Sequence, residues 1–455
     1  MTGVVAGLIG SLKAAVAAVI NYFYISNAYP TASIRSTRYI RTVFDSNGNY
    51  YSFFDTDNSI TPGLIVKRNK TTGNVIWAFT SSFSAVTFPE SIRVVSDGIY
   101  FASKSGAVSL LVKIDFNGAV TDKKYRPLDL FAPMALSPNL NYVTSEITSL
   151  PYGKGTVNYY APVGYSYSTN LPLAKSKLVL TGNQQFVGNA PKIIANSSNQ
   201  FFLYGTGDSY DGSSRGYGNV YIYTIGSTSA YRYSTGVEYS DVTMSLAAAS
   251  SGNFYLYWDI NVLGTLRYNL TKVIPGGSQT TYSISGVTKS SMNAMVVDSS
   301  ENNLYILCNF APALRKITVA KISLSGTWSV AWEKTITVGT SGTLNYDFST
   351  ITYADLDANG DLVFGIGSNT VTSIGFLLLK LKSNGTNSGP ASGSDISLTT
   401  TSTISLSSGG TSLSASTSTL SDTTGSSITS YPYTVTTTDA TTYYNSSNEV
   451  RTLLL

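Results

Sequence analysis

The most polar internal stretch, GTGDSYDGSSRGYGN at residues 205–219, combines carboxylates, a guanidinium and phenol rings within one glycine-rich segment. Its functional side chains are those of Asp208, Tyr210, Asp211, Arg215 and Tyr217. The two carboxylates, three residues apart, are the residue types that glycoside hydrolysis needs as acid and base. The guanidinium and the phenol rings suit glycan or protein contacts instead. We interpret the segment as a surface loop between two strands that binds a glycan or a partner.

Catalysis by the commonest routes is excluded by composition. The chain has no histidine, which removes the Ser-His and Cys-His nucleophile arrangements and the most frequent metal ligand. Cys308, the only cysteine, lies in the apolar run NLYILCNF and is expected to pack as a small hydrophobe. We therefore predict a protein that is not an enzyme and that uses no cofactor. The 33 tyrosines favour a binding surface over a catalytic one.

One motif begins like a calcium-binding loop. In DLDANGD, the oxygen-bearing side chains are those of Asp355, Asp357, Asn359 and Asp361. A complete loop needs a bidentate glutamate at its twelfth position, where this chain has Ile366. Related turns recur as FDSNGN and VDSSEN without a full set of ligands. We predict hairpin turns here and no metal site.

The overall composition indicates an all-β protein. Only 12% of the 455 residues are charged, glycine and tyrosine are abundant, and Ser and Thr fill much of the remainder. The net charge of +4 is spread thinly, without a run of Lys or Arg, so no nucleic-acid partner is expected. No glycine cluster precedes a Gly-Lys-Ser/Thr triplet, so nucleotide binding is not supported either.

Repeated hairpins run through the centre of the chain. Seven apolar strands end in a polar turn and are followed by a second short strand; the strand-and-turn segments are YIRTVFDSNGN, SIRVVSDG, MALSPNLN, KIIANSSNQ, SLAAASSGN, AMVVDSSENN and YADLDANGD. The turns contain Asp, Asn, Ser and Gly, which adopt turn conformations at little cost. Each unit therefore starts as a β-hairpin.

A second repeated phrase follows each hairpin. An apolar strand carrying a lysine leads to a glycine turn, as in LLVKIDFNGAVTD and FLLLKLKSNGTNS, and a fourth strand carries Trp77 in the first unit and Trp332 in the sixth. The equivalent positions in the seven units are Lys67, Lys113, Tyr160, Tyr223, Tyr268, Lys321 and Lys380. Seven units of four strands predict a seven-bladed β-propeller over residues 36–390.

The best-preserved repeats resemble a known family. VVDSSENNLYILCNF with VAKISLSGTWSVAW, and DLDANGDLVFGIGS with LLLKLKSNGT, are similar to the bacterial and phage propeller repeat. Its consensus runs aspartate, turn, glycine, hydrophobic pair, lysine-bearing strand, glycine turn and tryptophan. Units three to five keep neither the lysine nor the tryptophan. The resemblance implies a virion protein of a tailed bacteriophage or a secreted bacterial protein.

Residues 1–35 form a predicted anchoring arm, helical or extended. The tract GVVAGLIGSLKAAVAAVINYFYI is long enough to span a membrane, but Lys13 would lie near the bilayer centre, and no positive charge precedes it as in a secretory signal. A small-residue segment that packs on a neighbouring subunit fits better. Its apolar anchor positions are Leu8, Ile9, Leu12, Val16, Val19 and Ile20.

Residues 391–455 are rich in Ser and Thr. Such composition is typical of a disordered or glycosylated stalk. Apolar residues nevertheless recur at alternating or near-alternating positions, at Ile396, Leu398, Ile404, Leu406, Leu413 and Leu420. Because period-two alternation is the signature of strands, we favour a β-structured tail ordered by stacking on partners.

These features predict a structural component of a bacteriophage particle, located in its tail, tail-head connector or surface decoration. Its partners would be other virion proteins, further copies of itself within a symmetric assembly, and a host-surface glycan. No membrane partner is expected. The alternative is a secreted or cell-surface bacterial propeller that binds glycans or peptides. A glycosidase or lyase on the same scaffold is a third hypothesis, which depends on Asp208 and Asp211.

Overall fold

The structure is a computed structural model that describes most of the repeat region and part of the tail. The described residues are 23–25, 37–56, 63–70, 74–81, 89–105, 108–127, 134–152, 155–166, 172–178, 186–187, 192–196, 199–208, 215–225, 227, 229–235, 239–240, 242–262, 265–288, 292, 294–311, 316–338, 346–347, 353–368, 376–386, 389–390, 396–421 and 437–439. Over these ranges the protein is all-β, with a single 3-10 turn at Pro89–Ser91. None of their helical segments is long and apolar enough to cross a membrane.

The described residues form thirty-six strands. In chain order they are β1 Phe23–Ile25, β2 Thr37–Phe44, β3 Tyr50–Thr56, β4 Gly63–Arg68, β5 Val75–Ser81, β6 Arg93–Val95, β7 Gly98–Ser105, β8 Val108–Ile114, β9 Val120–Pro127, β10 Met134–Leu136, β11 Asn141–Tyr152, β12 Gly155–Ser166, β13 Pro172–Leu178, β14 Phe186–Val187, β15 Lys192–Ala195, β16 Gln200–Asp208, β17 Arg215–Thr224, β18 Ser229–Ser234, β19 Tyr239–Ser240, β20 Thr243–Ala248, β21 Phe254–Val262, β22 Thr265–Val273, β23 Gln279–Ser285, β24 Ala294–Val297, β25 Asn303–Ala311, β26 Lys316–Ser323, β27 Ser329–Val338, β28 Tyr346–Asp347, β29 Ala354–Leu356, β30 Leu362–Ser368, β31 Phe376–Leu381, β32 Gly389–Pro390, β33 Ile396–Thr400, β34 Ser405–Ser408, β35 Ser414–Ser421 and β36 Thr437–Asp439.

Hydrogen bonds join these strands into six antiparallel sheets. Sheet 1 has the order β2-β3-β4-β5-β36, and sheet 2 has the order β6-β7-β8-β9. Sheet 3 has eleven strands: β10-β11-β12-β13 and β15-β16-β17-β18 lie on either side of β35, while β14 and β19 pair with β12 and β17. Sheet 4 is β20-β21-β22-β23-β34, and sheet 5 is β24-β25-β26-β27-β33-β32. In sheet 6, β28 and β29 pair with β30, which is followed by β31 and β1.

The sheets pack face to face in a closed ring, which is a β-propeller. Apolar clusters lie between sheets 1 and 2, 2 and 3, 3 and 4, 4 and 5, and 5 and 6. A further cluster joins the last sheet to the first, through Tyr39 of sheet 1 with Val363 and Leu378 of sheet 6. Because no sheet buries both of its faces alone, the closed ring shields apolar surface that an open array would expose at its ends.

The blade count differs from the predicted one, because the structure has six sheets rather than seven. The two four-stranded halves of sheet 3 pack on each other through a cluster that includes Val143 and Phe201. The tail strand β35 then hydrogen-bonds to both halves, at Ser414–Thr419 on β18 and at Leu420 and Ser421 on β13. Two sequence units therefore belong to one hydrogen-bonded sheet, a connection that the repeat pattern does not contain.

In two units, the repeated Lys…Gly…Trp phrase forms hydrogen bonds to the adjacent sheet. Lys67 and Trp77 lie opposite each other on β4 and β5, and both donate hydrogen bonds to the carbonyl oxygen of Phe116 in the next unit, at 2.9 and 3.2 Å. Lys321 and Trp332 do the same to the Ser383 carbonyl, at 2.8 and 3.2 Å. In both cases the accepting residue lies in the glycine turn of the neighbouring phrase, so these two turns are held by the preceding sheet.

Tyrosine contributes to the core more than the sequence indicated. The fully buried side chains of largest volume include Tyr39, Tyr51, Tyr142, Tyr221, Tyr223, Tyr233, Tyr255 and Tyr257. Two of them, Tyr51 and Tyr255, lie on second strands beneath a lysine of the same sheet; the ammonium of Lys67 is 5.0 Å from the centre of the Tyr51 ring, and that of Lys272 is 5.5 Å from the centre of the Tyr255 ring. For these residues the expectation that tyrosine marks a binding surface is wrong, because burial of the ring stabilises the fold instead.

Both ends of the chain add strands to the ring. The N-terminal strand β1 pairs with β31 at Phe23–Leu378, Tyr24–Leu377 and Ile25–Phe376, and so supplies the outer strand of sheet 6. These three residues of the predicted arm are extended rather than helical. The anchor positions Leu8, Ile9, Leu12, Val16, Val19 and Ile20 lie outside the described residues.

The Ser/Thr-rich tail runs along the rim of the ring and meets the sheets in the reverse of their order in the sequence. Strands β33, β34, β35 and β36 pair antiparallel with the outer strands of sheets 5, 4, 3 and 1 in turn. Three apolar residues of the tail are buried in the clusters between sheets: Leu398 of β33 between sheets 5 and 6, Ile404 before β34 between sheets 4 and 5, and Leu413 before β35 between sheets 3 and 4. The tail strands thus pair with the chain's own sheet edges, whereas the sequence predicted that partners would order them.

Ring closure depends on a close approach between sheets 6 and 1. A Cβ atom at Gly365 of β30 would overlap the ring of Tyr39 on β2. We expect Gly365→Ala to lower the free energy of unfolding by about 1–3 kcal/mol, measured by urea denaturation, because overpacking forces a rigid ring to move. The double variant Gly365→Ala/Tyr39→Ala should be less destabilised than the sum of the single variants. Additive losses would contradict the assigned clash.

A partly buried carboxylate joins sheets 4 and 5. Glu301, in the turn between β24 and β25, accepts hydrogen bonds from Asn253 at 2.9 Å, Tyr255 at 3.1 Å and Ser251, and pairs with Lys272 at 3.1 Å. Burial opposes its charge, but these donors prevail and lower the pKa of Glu301 to about 2.

The low pKa of Glu301 predicts a pH dependence of stability. Because its folded pKa lies below the usual value of 4.5, its contribution is complete above pH 4.5 and is lost as the pH falls towards 2. We expect Glu301→Gln to be less stable than the wild type at pH 6, with a difference that shrinks by pH 3. Urea denaturation at both pH values measures it. A difference that does not change with pH would contradict the role of this carboxylate.

Candidate functional site

The first strands of the sheets surround the ring axis. Arg93 on β6 donates from Nε to the Leu136 carbonyl at 2.6 Å and from Nη2 to the Ala195 carbonyl at 3.1 Å. One side chain of sheet 2 therefore reaches the first strands of both halves of sheet 3. One side chain can contact the first strands of two further units only near the axis, where first strands converge, so Arg93 lies near the centre of the propeller.

A network of charged side chains occupies this axial position. Nε of Arg41 on β2 lies 2.9 Å from Oδ2 of Asp355 on β29, and Nη1 of Arg41 lies 3.7 Å from Oε2 of Glu90. Nη2 of Arg93 lies 3.7 Å from the same Glu90 oxygen. The Arg41 guanidinium is also 4.0 Å from the centre of the Tyr353 ring. We name Arg41, Glu90, Arg93, Tyr353 and Asp355 the axial cluster.

Burial controls the charges in the axial cluster. It raises the pKa of Asp355 above its usual value, although Arg41 opposes this effect. Burial also opposes the charge on Arg41, but Asp355, Tyr353 and Glu90 together raise the pKa of Arg41. The pKa of Tyr353 is raised by burial as well. The cluster therefore contains a guanidinium that stays charged beside carboxylates for which water is scarce.

One carboxylate oxygen of the cluster has unused capacity. Oε2 of Glu90 is buried and accepts no hydrogen bond from the described residues, although two guanidinium groups lie 3.7 Å away. A buried carboxylate oxygen without a donor is costly, and native proteins normally provide one through a side chain, a water molecule or a ligand.

Lys192 is the first residue of β15, the strand whose Ala195 carbonyl accepts a hydrogen bond from Arg93. Its Nζ is 5.9 Å from the centre of the Tyr204 ring, and its side chain is exposed. Its surroundings nevertheless exclude enough water to lower the pKa of Lys192, and no carboxylate among the described residues lies within ion-pair distance of it. The nearby charge of Glu90 contributes, after burial, to a raised pKa of Tyr204.

The polar segment at 205–219 rises from the same face of the ring as Lys192. Lys192 is paired with Tyr204 on β16, and β16 continues beyond it to Asp208, which is paired with Gly216. Tyr217 is paired with Gly207, and Arg215 is paired with Ser240. Tyr210 and Asp211 lie outside the described residues. The predicted loop is thus the tip of a long hairpin, and pairing of the described backbone separates Asp208, Arg215 and Tyr217 along it.

The hairpin of β11 and β12 projects from this face as well. Each of its strands has 12 residues, but β10 pairs only with Tyr142, Val143 and Thr144. The paired strands continue through Glu146 and Ala161 to Tyr152 and Gly155, beyond the start of β10. We name the side of the ring that bears the axial cluster and these two long hairpins the hairpin face.

The opposite side of the ring carries tight turns whose polar groups are already used. In DLDANGD, Oδ1 of Asp357 accepts hydrogen bonds from the amides of Asn359 and Asp361, and Oδ2 lies 2.5 Å from the ammonium of Lys380. Asp355 is paired with Arg41 instead. Over the described ranges, no group of three or more His, Cys, Asp or Glu side chains could hold a metal ion.

The axial cluster was not among the sites predicted from the sequence. Its charged members come from positions 41, 90, 93 and 355, and only the ring closure brings them together. The available signal was an arginine inside an apolar strand, in YIRTVF and SIRVV, within a chain that has few charges. A charge on a strand that faces the core must find a partner, which would have marked Arg41 and Arg93 as candidates.

Comparison with known proteins finds no match in sequence and only distant matches among solved structures. No protein-family model and no curated protein sequence matches the chain. Among solved structures, the chain is similar to the Dos1 propeller, with 10% identity, a TM-score of 0.36 and coverage of 79% of this chain and 95% of that one. It is also similar to the polysaccharide lyase Uly1, with 9% identity, a TM-score of 0.32 and coverage of 66% and 91%. A eukaryotic initiation factor has 9% identity, a TM-score of 0.31 and coverage of 75% and 87%.

Proposed function

We propose that this protein is a structural component of a bacteriophage particle that acts by protein-protein assembly and contacts host-surface glycans through its hairpin face. The resemblance of its repeats to the bacterial and phage propeller repeat supports a place in a bacteriophage particle. The observation that carries an assembly role is the capped rim, where strands from both ends of the chain cover the outer edges of five of the six sheets. Exposed edges attract other strands, so a chain that covers its own edges can be packed at high density without uncontrolled association.

The proposed assembly uses the two sides of the ring differently. The side with tight turns is rigid, because its turns are held by neighbouring sheets through Lys67, Lys321 and Glu301. The hairpin face carries the longer hairpins and the axial cluster, which suits recognition. Copies of such a disc would associate through self-complementary surfaces around a symmetry axis.

We propose a binding role rather than a catalytic one. The carboxylates of the axial cluster are paired with arginines, and this arrangement holds charge in place rather than moving a proton. A test of catalysis is the double variant Asp208→Asn/Asp211→Asn, assayed against a panel of polysaccharides beside the wild type. Cleavage by the wild type that the double variant lacks would contradict the binding role.

Mass spectrometry of purified bacteriophage particles from the source of this sequence directly tests whether the chain is a particle component. The full-length chain should co-purify with the major structural proteins at a constant ratio through successive density gradients. Recovery only from the culture medium, with a cleaved N-terminus, would contradict the proposal and would favour the alternative, a secreted or cell-surface propeller that binds glycans or peptides.

A further inference from the structure

The outer edge of sheet 2 is the exception on the rim of the ring. Among the described residues, its outer strand β9 pairs only with β8, whereas each of the other five sheets gains a strand from one end of the chain at its outer side. The backbone N–H and C=O groups along the outer side of an edge strand can pair with a further strand. The edge of β9 therefore offers a docking site for one more strand.

The order in which the tail meets the sheets identifies the occupant. Strands β33, β34, β35 and β36 pair with sheets 5, 4, 3 and 1, and β35 meets the two halves of sheet 3 in reverse order as well. Sheet 2 is thus the one that the order passes over, between β35 and β36. Because neighbouring sheets follow one another around the ring, the course along the rim from β35 to β36 leads past β9.

The length of chain between β35 and β36 fits one more strand. The connectors between the earlier tail strands are residues 401–404 and 409–413, four and five residues long. Residues 422–436, which lie outside the described residues, number fifteen. Fifteen residues less two connectors of four or five leave five to seven, which matches the five, four and eight residues of β33, β34 and β35.

The residue types on both sides match an existing tail contact. β9 contains Lys123 and Lys124, and charged residues on an edge strand normally discourage pairing. The tail nevertheless pairs with a charged outer strand on sheet 5, where the ammonium of Lys334 donates to the hydroxyl of Thr400 at 2.8 Å. Residues 422–436 are mostly Ser, Thr and Tyr, whose hydroxyls can accept from a lysine in the same way.

We propose that the outer edge of β9 binds residues 422–436 of the same chain as an antiparallel strand. Ile404 and Leu413 each precede a tail strand and are buried between sheets, and Ile428 is suited to the same place before a strand on β9. Pro432 is compatible with this strand, because proline is tolerated on outermost strands where the missing donor would face solvent. This inference goes beyond the proposed function: with β9 covered, partners would meet the two sides of the ring rather than add strands at its rim.

Hydrogen exchange at the amides of β9 in the full-length chain tests the inference. In an uncovered edge strand every second amide faces solvent and exchanges rapidly, whereas a covering strand protects it. We expect all amides of 120–126 to be protected in the wild type, at every protein concentration. Outward-facing amides that exchange as fast as those of an unfolded chain would overturn the inference. Protection that is lost on dilution would also overturn it, because the occupant would then be a second copy.

Two double variants assign the protection to the tail. Thr429→Pro/Ser430→Pro removes two consecutive amides, one of which faces β9 in any register. We expect exchange at every second amide of β9 to accelerate about 10-fold or more. Thr423→Pro/Thr424→Pro is the matched control, in the expected connector after β35, and should leave β9 protected. Unchanged exchange in the first variant, or equal acceleration in the control, would overturn the inference.

Discussion

Glu333→Ala is expected to release the tail from the rim between sheets 5 and 4. Glu333 is buried on β27, and its carboxylate accepts hydrogen bonds from the hydroxyls of Thr401 and Thr403, both at 2.7 Å. It also accepts the amides of Thr403 and Ile404, both at 2.8 Å. Burial opposes its charge, but these donors lower the pKa of Glu333. One carboxylate thus holds the segment that carries Ile404 into the cluster between the two sheets.

The expected cost follows from the groups left behind. Hydrogen bonds to a charged acceptor contribute about 1.5–3 kcal/mol each, and two backbone amides would lose their acceptor, so local docking should weaken by about 3 kcal/mol or more. Hydrogen exchange at the amides of 403–408 should therefore accelerate about 100-fold. Ser402→Ala is the matched control, because Ser402 is an exposed neighbour in the same segment. Unchanged exchange in Glu333→Ala would contradict the role of this carboxylate in holding the tail.

Gly286, which directly follows β23 of sheet 4, allows the same tail segment to approach closely. Gly286 has a φ of +76°, and a Cβ atom there would overlap the carbonyl of Thr403. Further along, Gln279 accepts the amide of Leu413 at 3.1 Å and donates to its carbonyl at 3.0 Å. The tail is therefore held by side chains of the sheets as well as by strand pairing.

The second large effect is expected from Arg41→Met. This variant removes the partner of a buried carboxylate, since Asp355 would remain at the axis without its guanidinium. Breaking one side of a buried ion pair typically costs about 3–5 kcal/mol. We expect a loss of this size in urea denaturation at pH 7, together with weaker closure between sheets 1 and 6.

Controls separate the charge effect from lost packing. Arg267→Met, at an exposed position of β22, should change the stability by less than about 0.5 kcal/mol. The double variant Arg41→Met/Asp355→Leu should recover much of the loss, because no unpaired charge remains. Since burial already raises the pKa of Asp355, the folded state of Arg41→Met takes up a proton readily, and its deficit should shrink as the pH falls. A deficit that grows on acidification would contradict this account.

Local patterns predicted the units of this fold well. The alternation of apolar strands with Asp, Asn and Gly turns gave the hairpins, because strand pairing and turn conformation are decided within about twenty residues. The Lys…Gly…Trp phrase also had a structural cause, since Lys321, Trp332 and the turn at Ser383 form one contact. Lys67 and Lys321 hold the next unit, whereas Lys113 and Lys380 pair with carboxylates of their own unit, a difference that spacing alone does not reveal.

Long-range pairing was the part that the sequence could not supply. Period-two alternation predicted strands in the tail. The sequence of a strand rich in Ser and Thr does not indicate, however, with which sheet it pairs. The joining of two units by β35 therefore changed the expected seven blades into six sheets. The segment at Phe23–Ile25 was predicted as part of a helical or extended arm, and its pairing with β31 depends on the ring bringing residues 25 and 376 together.

The candidate site depends on ring closure even more strongly. Asp208, Arg215 and Tyr217 were predicted from composition, which identifies polar segments but not what faces them. Arg41, Glu90 and Asp355 became candidates only when the axis placed them together. Ion pairs between positions more than three hundred residues apart leave no local trace beyond an unexpected charge in an apolar strand.

An experimental density map of the purified full-length chain tests the central claim, that one chain closes a propeller and caps its rim with both ends. The map should show a closed ring in which Phe23–Ile25 lies beside Phe376–Leu378 and tail strands lie along sheets 5, 4 and 3. A flat sandwich, an open spiral, or a closed ring whose outer edges lack the tail strands would contradict it.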